Sequence, residues 1–365
     1  MRVHLVDPAA YTPPYDRALA VALAAAGADV SLFTSAFDYG DVPAAPGVDV
    51  RERAFYRWAP GRGRVRRAAR LAQHVPDMAR YARAARRADV VHFQWLPVQA
   101  LDARLLPRAH PRLLTAHDVL PREPRPGQLA GQRRLYERMD AIVVHSEHGA
   151  ARLRDELGLD AARVHVIPHG ALTGLTEIPA QARPPRELRA GAGPVVLFFG
   201  LLRPYKGVDV LLDAWRRARR PDGARLWIAG MPRMDVTGIA AAPDVDAALR
   251  FVSASELAGA FRAADLVVLP YREIDQSGVL FTALAFGKPL LLSDVGGFPE
   301  VAATGAAELV AAGDADALAA ALSALLADAG RRERLAAAAR AAAAGPYGWD
   351  AIARRTLTLY RALGA

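Results

Sequence analysis

The segment LFFGLLRPYKGVDVLL carries two cations in a short loop between an apolar run and a helical pattern. The apolar run ends at Gly200, and the helical pattern begins at Gly207. Arg203 and Lys206 lie in the loop between them. A glycine lets backbone approach a ligand, and two cations beside a helix N-terminus suit a diphosphate. We therefore interpret this loop as a diphosphate site; the alternative is an ordinary turn with two exposed cations.

A second stretch, residues 270–300, combines acids with the start of another helix. Glu273 and Asp275 lie in a loop that follows an apolar run, and three residues then begin a helical pattern: Ser277, Gly278 and Val279. The amides of these three residues would have no partner inside the helix and could bind phosphate oxygens. Acids beside an anion site suit sugar hydroxyls; the alternative is that they cap the helix.

Together the two stretches resemble the donor half of the family-4 retaining glycosyltransferases, the glycosyl transferases group 1. In that family a Gly–x–x–Arg–x–x–Lys–Gly loop binds the diphosphate of a nucleotide-sugar donor. The matching residues here are Gly200, Arg203, Lys206 and Gly207. The second stretch resembles the other family signature, with its following turns at Gly287, Pro289, Gly296, Gly297, Pro299 and Glu300. The resemblance runs from about residue 140 to the end, and more loosely over the N-terminal half.

The chain departs from the family on the second helix, where the family usually has two glutamates separated by seven residues. Counting back from Gly287 puts Thr282 at the second position and Ile274 at the first, flanked by Glu273 and Asp275. The resemblance implies that Thr282 contacts the donor ribose through its hydroxyl. It also implies that one of the two acids faces the transferred sugar, and Asp275 is preferred because it lies nearer the helix start.

In the N-terminal half, His117 follows a short apolar run, at a place where the family often has a histidine close to the transferred sugar. A histidine at a strand end suits a polar contact or a proton relay, so His117 joins the candidate catalytic residues. The alternative is a histidine bound within its own loop by Asp118. Ser146 is predicted to cap the next helix. The nearby histidines are not interpreted as a metal site, because the family works without bound metal.

The first loop of the chain, DPAAYTPPYDRAL, has prolines and aromatic residues where many family members have two glycines. Prolines stiffen the loop and the aromatic rings add contact surface. We interpret Tyr11, Thr12 and Tyr15 as acceptor-binding residues.

These candidate residues follow short apolar runs that alternate with helical patterns, which is typical of parallel sheets buried on both faces. The predicted strands are residues 2–6, 30–33, 90–93, 113–115, 142–144, 164–167, 195–199, 226–228, 250–252, 266–269, 289–292 and 308–310. The predicted fold is α/β: GT-B, with two doubly wound Rossmann-like domains facing each other across a cleft. The acceptor domain spans 1–175 and the nucleotide-sugar domain 190–345, with the C-terminal helix, 346–365, packed back on the first.

Composition and charge indicate the cellular location and the partners that we expect for the protein. The 365 residues contain no cysteine and are 52% hydrophobic, and neither a signal peptide nor a membrane span is expected, so we expect a cytoplasmic enzyme. The net charge of +9 is concentrated in 51–89, which holds 12 arginines. That stretch is either a solvated helix face or a surface for peripheral contact with the anionic inner face of a membrane. Nucleic acid is not expected as a partner, because no binding motif is present.

The resemblance thus implies a metal-independent hexosyltransferase with no cofactor, acting on a lipid-linked glycan or a small molecule. In such a reaction the leaving diphosphate takes the acceptor's proton on the same face of the sugar. Uridine and guanosine donors both remain open. Two alternatives are a non-catalytic nucleotide-sugar-binding partner of a transferase and a sugar-nucleotide epimerase or hydrolase on the same fold.

Overall fold

The computed structural model describes residues 1–38, 40, 42–59, 63–109, 111–121, 124, 126–239 and 242–365. Contacts between residues divide the chain into two compact units. The first unit contains Met1–Gly170 and Trp349–Ala365, and the second contains Ala171–Gly348. The second unit is therefore inserted into the chain of the first.

In the first unit, the described residues form a parallel sheet with the strand order β3-β2-β1-β4-β5-β6-β7. The strands are β1 Arg2–Asp7, β2 Asp29–Thr34, β3 Asp49–Arg51, β4 Val90–Phe93, β5 Arg112–Thr115, β6 Ala141–Val144 and β7 Val164–Val166. The helices of this part of the chain are α1 Pro13–Ala25, α2 Gly63–Ala84, α3 Gln99–Leu105, α4 Gln128–Tyr136 and α5 Glu147–Leu157. β4 and β6 are buried along their whole length because helices cover both faces of the sheet.

In the second unit, the described residues form a parallel sheet with the strand order β10-β9-β8-β11-β12-β13. The strands are β8 Val195–Phe199, β9 Arg225–Ala229, β10 Val245–Ala248, β11 Leu266–Leu269, β12 Leu290–Ser293 and β13 Ala307–Val310. The helices are α6 Val208–Arg217, α7 Ala254–Ala263, α8 Gly278–Ala285, α9 Phe298–Ala302, α10 Ala315–Ala327 and α11 Ala329–Ala344. The large side chains of Trp215, Trp227 and Phe281 are buried in its core.

One predicted strand is wrong. Residues 250–252 are not a strand, and the edge strand of the second sheet is β10, five residues earlier. The sequence of β10, VDAA, does not read as an apolar run because it contains a charged residue, Asp246. This carboxylate is buried, where it accepts hydrogen bonds from Arg225 Nη2 at 2.7 Å and from Arg189 Nε at 2.8 Å. Arg250 instead lies in the loop before α7, where its guanidinium binds Glu187 and Glu256.

The last helix, α12 (Trp349–Ala362), belongs to the core of the first unit. Its buried side chains Ile352, Leu357 and Tyr360 share a hydrophobic cluster with Leu19 and Leu23 of α1. Their burial gives the C-terminal segment a structural role in the first domain. Within the described ranges, the protein has no helix that is both long enough and apolar enough to cross a membrane.

Candidate active site

Both sheets reverse their strand order once, and the candidate residues lie at these reversals. In the first sheet the reversal falls between β1 and β4, and in the second it falls between β8 and β11. Open parallel sheets bind ligands beyond the carboxyl ends of the strands at such a switch point. Tyr11 follows β1, and the Arg203–Lys206 loop follows β8. The topology therefore puts one candidate binding loop of each unit at the expected place.

The loop after β8 is compact and partly buried. Pro204–Lys206 form a single 3-10 turn, with Arg203 exposed just before it and the Lys206 side chain buried. The Lys206 ammonium lies 5.0 Å from the centroid of the Tyr271 ring, which fixes its direction. Gly207 ends the turn at a φ of 65°, and a Cβ there would collide with the carbonyl oxygen of Pro270. A glycine is needed at this position because the two loops meet there backbone to backbone.

The Lys206 ammonium and the first turn of α8 flank one point. A Cβ built on Gly200 would lie 2.9 Å from Lys206 Nζ and 3.2 Å from Val279 Cγ2. The structure thus brings together a cation from the first stretch and the helix start from the second. Such an arrangement of ammonium group and helix N-terminus binds anions.

The start of α8 leaves amides available to a ligand. Ser277 is the N-cap, and its carbonyl accepts hydrogen bonds from the amides of Leu280 at 3.0 Å and Phe281 at 3.4 Å. The preceding amides, of Gly278 and Val279, lie before the first carbonyl that a helix can offer them. Gly278 is exposed and Val279 is half-buried, so these donors lie at the surface beside Lys206.

The hydroxyl of Thr282 is bound to its own helix. Thr282 Oγ1 donates to the carbonyl oxygen of Gly278 at 2.9 Å, and the residue is buried. Its proton is therefore committed, and the hydroxyl can only accept a hydrogen bond from a ribose hydroxyl. This is a smaller role than that of the family's glutamate, whose carboxylate has two oxygens to offer.

The two acids differ in burial. Asp275 is buried and Glu273 is exposed. The loop that carries them is held on both sides. Arg272 donates its amide to Tyr205 O at 2.7 Å and its guanidinium to Pro204 O at 2.8 Å, and a Cβ on Gly296 would collide with the carbonyl of Ile274. Hydrogen bonds thus connect the acidic loop directly to the Lys206 loop.

In the first unit, Asp7 organises the loop after β1. Its carboxylate accepts hydrogen bonds from the amides of Ala9 at 3.1 Å, Tyr11 at 2.5 Å and Thr12 at 3.4 Å. The Tyr11 ring stacks on Trp95 with a centroid distance of 4.0 Å. Tyr11 Oη donates to the exposed Asp118 carboxylate at 2.7 Å. Tyr11 is 44% exposed, so the ring keeps an open surface for a ligand.

Thr12 and Tyr15 are placed differently from Tyr11. Thr12 Oγ1 donates to the buried Asp16 carboxyl at 3.2 Å. Tyr15 is only 3% exposed and packs between His117 and Trp349, with centroid distances of 4.7 Å and 5.2 Å. The sequence interpretation that placed Tyr15 on the acceptor surface is therefore corrected: its ring lies behind the site and supports His117.

His117 is not held by its own loop. Its Nδ1 atom lies 3.1 Å from His145 Nε2, whereas Asp118 binds Tyr11, so the alternative of an Asp118-bound histidine is excluded. His117 Nε2 is covered and has no hydrogen-bond partner among the residues described. Burial, and to a lesser extent neighbouring histidines, lower the pKa of His117 well below its ordinary value. The predicted cap at Ser146 is confirmed, since its hydroxyl accepts the Gly149 amide at 3.0 Å.

Sequence reasoning missed two side chains that the structure adds, Trp95 and His145. Both lie within two residues of a strand end, β4 and β6 respectively, where a parallel sheet exposes its ligands. That rule, applied to every strand, would have found them. Within the described parts of the chain, no group of three or more His, Cys, Asp or Glu side chains is arranged to hold a metal ion.

Two Rossmann-like domains, each with one reversal of strand order in its sheet, have the architecture of the GT-B class of glycosyltransferases. Comparison with known proteins supports this class. Residues 193–328 match the family model of the glycosyl transferases group 1, and residues 13–170 match that of the glycosyl transferase 4-like domain. The chain belongs to the group 1 glycosyltransferases, so the resemblance inferred from its motifs is confirmed.

The relatives include enzymes with different named substrates. The D-inositol 3-phosphate glycosyltransferase of Xylanimonas cellulosilytica is 32% identical over 300 residues, which is 74% of this chain and 71% of the relative. Sucrose-phosphate synthase of Thermosynechococcus elongatus shares the fold with a TM-score of 0.75 and 22% identity, covering 100% and 99% of the two chains. Anabaena HepE in complex with UDP-glucose has a TM-score of 0.72 and 18% identity, with 100% of both chains covered.

Proposed function

We propose that this glycosyltransferase moves a hexosyl group from a nucleoside-diphosphate sugar to a hydroxyl of a sugar-like acceptor, with retention and without a metal ion. The observation that carries the proposal is the position of the Lys206 ammonium beside the first turn of α8. A solved structural neighbour binds UDP-glucose, which supports a donor of this chemical class.

The chemistry follows from where charge grows. When the bond from the sugar to the diphosphate breaks, the leaving oxygen becomes more negative. Lys206, together with the amides of Gly278 and Val279, stabilises that charge in the proposed reaction, and Arg203 adds an exposed cation. The same diphosphate oxygen accepts the proton of the attacking hydroxyl, so the new bond forms on the face that the leaving group vacates. Asp275 is the buried acid that would face the sugar.

We assign the acceptor to the surface formed by Tyr11, Trp95 and Asp118 in the first unit. A stacked aromatic pair offers a flat apolar face to the C–H side of a sugar or cyclitol ring, and a carboxylate beside it accepts ring hydroxyls. Asp118 also repels an acceptor phosphate at this edge, so any phosphate must lie away from it. The name of the inositol-phosphate relative is consistent with a polyhydroxylated ring as acceptor.

The proposal is tested by donor binding followed by transfer. The purified chain is screened by thermal shift against UDP- and GDP-sugars, and a bound donor is expected to raise the melting temperature as its concentration exceeds Kd. Transfer to a panel of sugars and cyclitols is then measured, with the anomeric configuration of the product read by NMR. A product of inverted configuration, or loss of turnover on adding a chelator, contradicts the proposed mechanism.

We further propose that one face of α2 docks on anionic membrane. We call it the α2 face; with the nearby Trp58 it presents exposed apolar and basic side chains: Trp58, Arg64, Val65, Arg67, Leu71 and Val75. Trp58 is 71% exposed and Val65 70% exposed, which is unusual for large apolar side chains. Apolar groups that insert among lipid headgroups, flanked by arginines, fit an anionic bilayer. Arg62, in the same basic stretch, lies outside the described residues.

The membrane proposal is tested by flotation with phosphatidylcholine vesicles with and without phosphatidylglycerol. Binding is expected only to the anionic vesicles and is expected to weaken as salt screens the arginines. Val65→Asp should abolish it, whereas Leu129→Asp, at an exposed leucine of α4, should not. Equal binding of the two variants contradicts a role for the α2 face.

A further inference from the structure

Two histidines and a backbone carbonyl form a hydrogen-bonded row inside the first unit. His145 Nδ1 lies 3.0 Å from the carbonyl oxygen of Ile167, and His145 Nε2 lies 3.1 Å from His117 Nδ1. A carbonyl can only accept a hydrogen bond, so His145 Nδ1 carries a proton. The position of every other proton in the row then depends on whether the two rings are neutral.

Both rings are neutral near pH 7. Burial lowers the pKa of His145 to about 4, and the hydrogen bond to Ile167 offsets this only in part. Burial and the neighbouring histidines also lower the pKa of His117. The titratable groups packed around the row, His92, His169 and Tyr15, bring no negative charge that would favour an imidazolium.

A neutral imidazole carries one ring proton, so His145 Nε2 must be an acceptor. His117 Nδ1 must therefore be the donor of the bond between them. This leaves His117 Nε2 with a lone pair, no proton and no partner among the described residues. A buried acceptor without a donor is unfavourable, and a substrate hydroxyl can relieve it.

We propose that His145 is a positioning residue that holds His117 in its Nδ1–H tautomer, so that His117 Nε2 accepts a hydrogen bond from a hydroxyl of the bound sugar. The inference rests on the proposed transfer reaction for the identity of the ligand, but the tautomer is a property of the free protein. His145 itself does not touch the substrate; it acts by fixing which atom of His117 can accept. Neutral imidazole in water prefers the other tautomer, so an enforced tautomer needs a fixed partner such as this one.

The tautomer is measured on the full chain with nitrogen-15 in its histidine rings. Long-range proton–nitrogen spectra at neutral pH distinguish a protonated ring nitrogen from one with a lone pair. We expect His117 to show a protonated Nδ1 and an unprotonated Nε2, with signals assigned from His117→Ala. The half-buried His165 serves as an internal reference. An Nε2–H tautomer of His117 in the wild-type protein overturns the proposal.

Two variants then connect tautomer and turnover. His145→Gln keeps an acceptor oxygen for His117 Nδ1, whereas His145→Leu removes it. We expect His145→Leu to release His117 to its Nε2–H tautomer and to lower kcat by about tenfold, with the affinity for the free nucleotide unchanged. His145→Gln should keep both the tautomer and most of the turnover. A leucine variant that changes the tautomer but not kcat overturns the positioning role, and one whose tautomer is unchanged overturns the mechanism.

These outcomes separate the inference from the proposed function. If the wild-type chain transfers no sugar, the transferase proposal fails while the tautomer result still stands or falls on its own spectrum. Nucleotide affinity reports on the second unit, to which His145 does not belong, and so shows whether the donor site is intact; circular dichroism detects unfolding of the first unit in the leucine variant. If that variant unfolds, the proposal is tested by the wild-type spectrum and by the tautomer and turnover of His145→Gln.

Discussion

Gly200 lies beneath the ammonium group of Lys206, because a side chain at Gly200 would begin 2.9 Å from Nζ. This closeness fixes the cation at the end of β8 and beside α8. We expect Lys206→Ala to lower kcat/KM by about 100-fold or more, because a cation that stabilises the leaving diphosphate is lost. Steady-state kinetics measure the effect.

The matched control for that change is Arg216→Ala, an exposed cation on α6. It should leave turnover near the wild-type value, and circular dichroism should show both variants folded. Near-normal kcat/KM in Lys206→Ala would argue that the loop is an ordinary turn.

Replacing Tyr11 is expected to affect the acceptor and not the donor. Tyr11→Leu removes the face that stacks on Trp95 and the hydroxyl that binds Asp118, so the acceptor KM should rise about tenfold. Tyr11→Phe keeps the ring and loses only the hydroxyl. Its acceptor KM should lie between those of the wild-type protein and Tyr11→Leu. Acceptor and donor KM values measured separately check this, and a change confined to the donor KM contradicts the acceptor assignment.

Gly207→Ala should destabilise the second unit and weaken donor binding together. The left-handed φ of 65° disfavours alanine by about 1–2 kcal/mol, and the clash with the Pro270 carbonyl adds to this. Gly174→Ala is the control, because Gly174 has no atom within 4 Å of its Cβ position. Urea unfolding and donor titration provide the measurements. Equal stability of the two variants would show that the loops at Gly207 and Pro270 can move apart without lowering the free energy of unfolding.

Stability should fall as the solution becomes acidic. Burial lowers the pKa of His92 to about 3 and that of His145 to about 4, below the unfolded value near 6.5. Below about pH 6.5 these histidines therefore bind protons in the unfolded chain but not in the folded chain. For His145 alone the free energy of unfolding should fall by about 2 kcal/mol between about pH 6.5 and about pH 5.

His145→Gln isolates this contribution, because the variant should lose correspondingly less stability over the same interval. The buried carboxyl pair Asp7 and Asp16 acts in the opposite sense, since burial raises the pKa of both groups and the folded chain gains a proton first. Urea titrations at several pH values measure the difference. Parallel curves for the variant and the wild-type protein would show that His145 is charged or exposed in the folded state.

The sequence predicts those parts of the structure that depend on local patterns. The apolar runs mark every strand except β3 and β10, and the spacing of Arg203, Lys206 and Gly207 marks the loop that we propose binds the donor diphosphate. β10 is missed because Asp246 interrupts its apolar character and is satisfied only by Arg189 and Arg225, far along the chain.

The first-unit site is predicted less well for the same physical reason. Tyr15 is buried by Trp349, which comes more than three hundred residues later, and no local pattern reveals such a contact. The role of His145 depends on the Ile167 carbonyl of another strand end. Side-chain types at strand ends are visible in the sequence, but the partner that orients each one is set by tertiary packing.

The position of α12 has a consequence for the order in which the protein can be built during synthesis. The ribosome makes the second unit entirely before it reaches Trp349, so that domain can fold while translation continues. The first domain has to wait for Ile352, Leu357 and Tyr360 to complete its hydrophobic cluster. The first domain therefore completes its fold last, although most of its residues are synthesised first. A stop codon late in the gene would remove α12 and so damage this domain.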